Sequence, residues 1–129
     1  MASGMSHTMI QAVANAIFHG APFAFADPHL VVLTAAPTAT TWGTEVTGGS
    51  YARQPLVMAA PVADEIESLT GAVFPPMPAC TVAGLAVVDG ASGTPTQWVY
   101  KDGLSRVVAA GEPIAFLAGD LKFKLVPTA

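Results

Sequence analysis

The chain's three histidines, His7, His19 and His29, all fall in its first quarter. A nucleophilic mechanism would need a Ser, Thr or Cys held against such a base, with a carboxylate to orient it, and no G-x-S-x-G elbow or comparable signature accompanies them. His19, Asp27 and His29 flank one short connection and would offer two imidazoles and a carboxylate to a metal, but their spacing matches no strong ligand pattern. His19 reads instead as the last-turn cation of a helix, where the helix dipole is negative. His7 reads as part of a mobile leader. No metal site is expected.

The acids give no catalytic pair either. Asp64, Glu65 and Glu67 lie together in a polar run without an apolar pocket to raise a carboxyl pKa, so they read as a solvated face. Cys80 is the only cysteine. It excludes an intramolecular disulfide and a Cys-based zinc site, and is expected to be small, buried and inert. Neither G-x-G-x-x-G nor G-x-x-x-x-G-K-[ST] occurs, so no phosphate cradle and no cofactor are expected. One local cluster stands apart: Glu45 and Arg53 sit on either side of Gly48-Gly49, with Tyr51 between. An ion pair across that turn would fix the hairpin and the register of Tyr51.

These groups need elements to hold them. Thr8-Met9-Ile10-Gln11 is a capping box in which hydroxyl and amide each satisfy an orphan backbone donor. Ile10, Val13, Ala14, Ile17 and Phe18 then follow at the spacing of one helical face, and Gly20 supplies a left-handed stop. The spacing predicts one amphipathic helix over 8–20, after a flexible leader over 1–7. Beyond Pro22, short β-branched and aromatic runs alternate with Gly, Pro, Asp and Thr clusters. Strands are expected at His29–Thr34, Tyr51–Met58, Cys80–Val88, Gln97–Lys101, Ser105–Ala109, Ile114–Leu117 and Leu121–Val126. Asp64–Thr70 reads as an exposed loop or edge strand, and Gly71–Pro75 as an extended segment.

Gly48-Gly49, Asp89-Gly90 with Gly93, Asp102-Gly103 and Gly119-Asp120 supply the positive φ that tight turns demand. Consecutive strands from Cys80 onward are therefore expected to be antiparallel neighbours. The apolar stretch Val82, Leu85, Val87 and Val88 fits a central strand covered on both faces. Leu121, Phe123 and Leu125 alternate with Lys122 and Lys124, as in a strand with one buried face. The fold class is mainly β: a single-domain antiparallel β-sandwich over 1–129 with one short N-terminal amphipathic helix.

Only nine Asp or Glu and five Lys or Arg serve 129 residues, 11% charged against roughly 25% in ordinary soluble domains. A folded monomer of this mass exposes on the order of 6,400 Å², so each charge would serve about 450 Å². With 52% hydrophobic residues and a mean hydropathy of +0.52, much surface must meet partner chains or lipid. Lipid is excluded for a helix, because the best uncharged stretch, Gly71–Val88, contains Pro75, Pro76 and Pro78. The N-terminal uncharged region lacks a basic n-region and is punctuated by His19, Gly20 and Pro22, so it reads poorly as a signal peptide. A net charge of −4 and a pI near 5.0 leave no basic stripe for nucleic acid. The aromatic residues Trp42, Phe23, Phe25 and Trp98 are open between core and interface, and Thr38–Trp42 is an irregular loop whose exposed indole would serve as a contact.

The order of these features resembles a group of small virion proteins of tailed bacteriophages, labelled tail fibre protein or minor capsid protein. Met9–His19 matches the group's N-terminal helix, Leu30–Pro37 its apolar strand and Thr-Ala-Pro turn, and Glu45–Gln54 its Glu-Val-x-Gly-Gly-x-Tyr-Ala-Arg-Gln segment. Phe74-Pro75, Gly84–Gly93, Ala110-Gly111-Glu112 and Ala118-Gly119-Asp120-Leu121 continue the correspondence over nearly the whole chain. The sequence departs from the pattern between Val57 and Met77, where Pro61 and the acidic run stand, and again at Pro76 and Pro78.

The resemblance implies a β-sandwich without enzymatic activity, built into a virion. The poorly charged surface agrees, because an assembly subunit buries it in contacts. The favoured expectation is a capsid decoration protein that binds and stabilises the head lattice by linkage, with the major capsid protein or other virion proteins as partners. The alternative is a tail fibre or baseplate protein used in host attachment, although neither fibre repeats nor coiled-coil heptads are evident. A virion hydrolase or carbohydrate-binding enzyme is a third reading that lacks paired buried acids. A homo-oligomer is expected, with a trimer favoured because capsid three-fold positions are common docking points.

Overall fold

A computed structural model describes residues 3–62, 65–69, 71–101, 103–119 and 121–124. Among the described residues the chain is mainly β, with every strand pair antiparallel and one helix. It opens with strand β1 (Ser3–Met5) and helix α1 (His7–His19). β1 pairs with a later strand, so residues 3–5 of the expected flexible leader are an edge strand of the main sheet. The helix is capped by Ser6, two residues before the expected Thr8. The reason is tertiary: the Ser6 hydroxyl, 1% exposed, accepts from the N–H of Met9 at 3.2 Å and from that of Trp98 at 3.2 Å. Gly20, at φ 66°, ends the helix as expected.

Next come β2 (Pro28–Ala35), β3 (Thr44–Glu45) and β4 (Gln54–Pro55). Both short strands pair with β2 along the same edge. The strand expected over Tyr51–Met58 shrinks to β4, because Pro55 has no N–H for a ladder. The remaining strands are β5 (Glu65–Glu67), β6 (Ala72–Phe74), β7 (Cys80–Val82), β8 (Gly84–Asp89), β9 (Trp98–Lys101), β10 (Arg106–Val108), β11 (Ile114–Phe116) and β12 (Lys122–Lys124).

These eight strands pair in nested order, β8 with β9, β7 with β10, β6 with β11 and β5 with β12. They make one long antiparallel ribbon that reverses only at the 90–97 loop. Its register slips by three residues, from Leu85↔Lys101 to Glu65↔Lys124. The expectation that consecutive strands from Cys80 onward pair with each other therefore holds only for β8 and β9. Gly103 (φ 79°), Gly111 (φ 83°) and Gly119 (φ 83°) do adopt the left-handed backbone. They bend one continuing arm instead of reversing it.

The Cys80–Val88 run is likewise two strands. Ala83 donates its N–H to the Leu33 carbonyl at 2.8 Å, leaving the ribbon for the sheet. Gly84 follows, where a Cβ would stand 2.8 Å from the Lys101 carbonyl oxygen. The Pro75, Pro76 and Pro78 segment breaks the other arm's partner between β6 and β7, since none of these residues can donate to a ladder.

The six-stranded sheet runs β1-β9-β8-β2-β3, with β4 also on β2. Leu30, Val32 and Val87 project from one face onto Phe74, Val82, Val108 and Ile114 of the folded-over ribbon, which forms the second layer of the sandwich. Val31, Leu33, Ala86, Val88 and Trp98 form the core of the opposite face, with Trp42 and Tyr100 against them. Because β2 is buried on both faces, it and β8 are the central strands. The last strand forms over 122–124, inside the expected Leu121–Val126, but pairs with β5 instead of its predecessor, and residues 125 and 126 lie outside the described residues.

Candidate functional site

The Gly48-Gly49 turn brings Glu45, Tyr51 and Arg53 to one point. Gly48 (φ 101°) and Gly49 (φ 55°) both take the left-handed backbone, which only glycine adopts without cost. Arg53 meets Glu45 in bidentate fashion, Nη2 to Oε1 at 2.9 Å and Nε to Oε2 at 3.0 Å. The Tyr51 hydroxyl donates to Glu45 Oε2 at 2.7 Å and accepts from the Val32 N–H at 3.2 Å. Its ring stacks on Phe74 with centroids 5.8 Å apart.

Arg53 also reaches across to the loop that closes the ribbon, donating from Nη2 to the Gly93 carbonyl at 2.6 Å and from Nη1 to the Gly90 carbonyl at 3.3 Å. A second tie lies beside it: the Asp27 N–H donates to Asp89 Oδ1 at 2.7 Å, and the Gly90 N–H returns to the Asp27 carbonyl at 2.8 Å. Burial drives the Tyr51 phenol well above its ordinary value, against the pull of the Val32 N–H and with a further push from the Glu45 carboxylate.

An open cleft of about 650 Å³ runs beside this cluster, between Trp42, Thr44 and Thr47 on one side and Ser92 and Thr94 on the other. The carboxylate and guanidinium at its base are already engaged with one another and with backbone. Their arrangement holds two loops together. It presents neither a poised nucleophile nor an acid kept protonated by an apolar pocket.

The other sequence-derived candidates do not converge. His7 is the first helical residue, its N–H donating to the Ala39 carbonyl at 2.8 Å, and so is part of the fold rather than a mobile leader. His19 is exposed in the last turn of α1. His29 is buried, Nδ1 lying 2.9 Å from the Asp27 carbonyl oxygen and 3.6 Å from its carboxylate. Among the described residues, no three His, Cys, Asp or Glu side chains are grouped to hold a metal ion. Glu65 and Glu67 lie on β5, in register with Lys124 and Lys122 of β12. Asp64 lies outside the described residues. Cys80 is half-buried, and desolvation pushes its thiol pKa up, the direction that suppresses reactivity. Among the described residues α1 is the only helix, and none is long and apolar enough to cross a membrane.

Of the four aromatic residues left open by the sequence, Trp98 is core at 5% exposure. Its indole N–H donates to the Thr38 carbonyl at 3.1 Å. Trp42 packs on it with ring centroids 5.3 Å apart and is half-buried, not the exposed indole expected of its loop. The apolar sheet face beneath explains the difference. Phe23 and Phe25 form an edge-to-face pair at 6.0 Å, with Phe25 against the inner core.

The family described as Podophage GP4 fiber I protein gp80 matches residues 4–124. The chain belongs to that family. No curated protein matches it. The fiber I family thus accounts for the resemblance carried by Glu45–Gln54 and the flanking motifs, and makes this chain a structural protein of the tailed-phage virion.

Sequence reasoning found the Glu45–Arg53 pair and the Asp89-Gly90, Gly93 turn but not their connection, because Arg53 meets that turn some forty residues away through backbone carbonyls, which carry no residue-type signal. It also missed Ser6, whose only sequence signal is its place three residues before Met9.

Proposed function

We propose that this fiber I family chain is a non-catalytic subunit of the tail fibre apparatus, and that its sandwich is a rigid module held in the virion by contacts with neighbouring proteins. The observation that carries this reading is the family match across 4–124, which covers both layers of the sandwich. The chemistry of the candidate site supports the absence of catalysis, since Glu45, Tyr51 and Arg53 hold each other and the 90–93 loop. The scarcity of charge supports extensive burial against virion partners.

A decoration role on the head lattice draws on the same small size and low charge, but the fibre description of the family favours the tail. Quantitative mass spectrometry of purified particles separated into heads and tails tests the choice. Copies confined to the tail fraction, few or a few tens per particle relative to the major capsid protein, are expected. Hundreds of copies in the head fraction would overturn the fibre reading in favour of decoration.

A further inference from the structure

The two layers of the sandwich separate toward β9. Residues paired across antiparallel strands share a face, so Leu85↔Lys101 and Val87↔Val99 place Lys101 and Val99 on the inner face with Leu85 and Val87. Val87 is buried, but Val99 is half-buried and Lys101 is exposed. The cover that the ribbon gives to β2 and β8 therefore ends short of β9.

In that gap lies a cavity of about 490 Å³, walled by Leu30, Val82, Val87, Ile114 and Phe116, with the exposed Lys101, Ser105 and Arg106 at its mouth. Leu85, Leu104 and Leu121 also line it and stay half-buried. Protein interiors hold few voids larger than a water molecule. This volume is instead that of sites that take small organic molecules.

The charge at the mouth narrows the choice. Of the five Lys and Arg, Arg53 is bound to Glu45, and Lys122 and Lys124 stand in register with Glu67 and Glu65. The other two, Lys101 and Arg106, both line this cavity. The chain has a net charge of −4, yet among the described residues no Asp or Glu lines it. Lys101 meets no carboxylate among the described residues. Arg106 Nη2 lies 3.6 Å from Glu112 Oε1, with both side chains exposed, and such a pair is weak.

A hydrocarbon would fill the walls and leave both cations unused. A small hydrophilic anion would meet the cations and leave the walls wet. An apolar chain ending in one negative charge satisfies both, and a carboxylate suits the planar guanidinium fork. We propose that this cavity binds a single-chain amphiphile with a carboxylate head, of the fatty-acid class, its chain between the two layers and its head on Lys101 and Arg106. The assignment holds whether the protein sits on the tail or the head of the virion.

Titration of decanoate into the full chain, followed by calorimetry and by methyl NMR shifts, tests it. Saturable binding of one decanoate per chain is expected, with shifts at Leu85, Leu104 and Leu121. The Tm should rise, because a ligand held only by the folded state stabilises it. Decanol has the same chain without the charge and should bind more weakly by about tenfold or more, the worth of one charge-assisted hydrogen bond. Lys101→Gln and Arg106→Gln, both at exposed positions, should leave the β-rich circular dichroism and decanol binding unchanged and weaken decanoate by a similar factor. Val107→Gln, beside Arg106 but 76% exposed on β10 and outside the cavity lining, should change neither ligand. The absence of saturable decanoate binding overturns the proposal. So do decanol binding as tight as that of decanoate, decanoate binding indifferent to both cavity variants, and shifts confined to Ile10 and Ile17 on the exposed side of α1.

Discussion

Arg53 and Glu45 form a bidentate ion pair whose side chains are only 5% and 20% exposed, at 2.9 Å between Nη2 and Oε1. The same guanidinium bonds the carbonyls of Gly90 and Gly93. One side chain therefore joins the hairpin that leaves β3 to the loop where the long ribbon reverses. These two parts of the fold are distant in sequence, and the closing loop is mostly exposed.

Arg53→Ala should cost about 3 kcal/mol, because it leaves the Glu45 carboxylate half-buried without its partner and frees two loop carbonyls. Urea denaturation monitored by tryptophan fluorescence measures it. A loss below about 1 kcal/mol would mean that the pair behaves as an exposed one.

Tyr51→Phe keeps the stacked ring on Phe74 but removes the hydroxyl that joins Glu45 to the Val32 N–H. A cost of about 1–2 kcal/mol is expected at neutral pH. The pH dependence has a definite sign. The folded pKa is raised above the ordinary 10.0, so the unfolded chain loses this proton first. The stabilisation is complete below pH 10.0 and declines as pH rises above it toward the folded value. Thermal melts of the wild type should fall over that alkaline range more steeply than those of Tyr51→Phe, and parallel curves would contradict the burial of the phenol.

How far such relationships can be read from the sequence depends on the distance between the partners. Glu45 and Arg53 flank a diglycine turn within nine residues, so their charges and the turn chemistry mark the pair. Gly90 and Gly93 offer only backbone carbonyls, which carry no residue-type signal. The periodicity of Ile10, Val13, Ala14, Ile17 and Phe18 identified a helix with an apolar face, but periodicity does not say what covers that face, and here the body takes Met9 and the small residues instead. Cys80–Val88 reads as one strand because its apolar and β-branched residues continue on both sides of Ala83 and Gly84. Its break at Ala83 comes from a hydrogen bond to Leu33, fifty residues earlier.

Ser6→Ala should destabilise the protein by about 1–2 kcal/mol, since the hydroxyl caps α1 and also satisfies the Trp98 N–H in a dry setting. Hydrogen exchange separates the two roles. Faster exchange is expected at Met9 and through the first turn of α1, and at Trp98 on β9. Acceleration at Met9 alone would show that water replaces the serine at the strand.

Gly49 and Gly93 give a matched test of close approach against backbone conformation. Both have positive φ, 55° at Gly49 and 91° at Gly93, so an alanine at either costs about 1–2 kcal/mol of left-handed strain. At Gly93 a Cβ meets nothing within 4 Å, but at Gly49 it would stand 2.9 Å from the backbone nitrogen of Pro78. That contact is against main chain, in a proline-rich segment that cannot move without disturbing the Ser50 N–H bond to the Pro76 carbonyl at 3.1 Å. Gly49→Ala should therefore be the more destabilising by at least about 1 kcal/mol, the scale of core overpacking. Equal denaturation midpoints for the two variants would show that the hairpin tip can lift away from Pro78, and that the turn owes its place to the Arg53–Glu45 pair rather than to this packing.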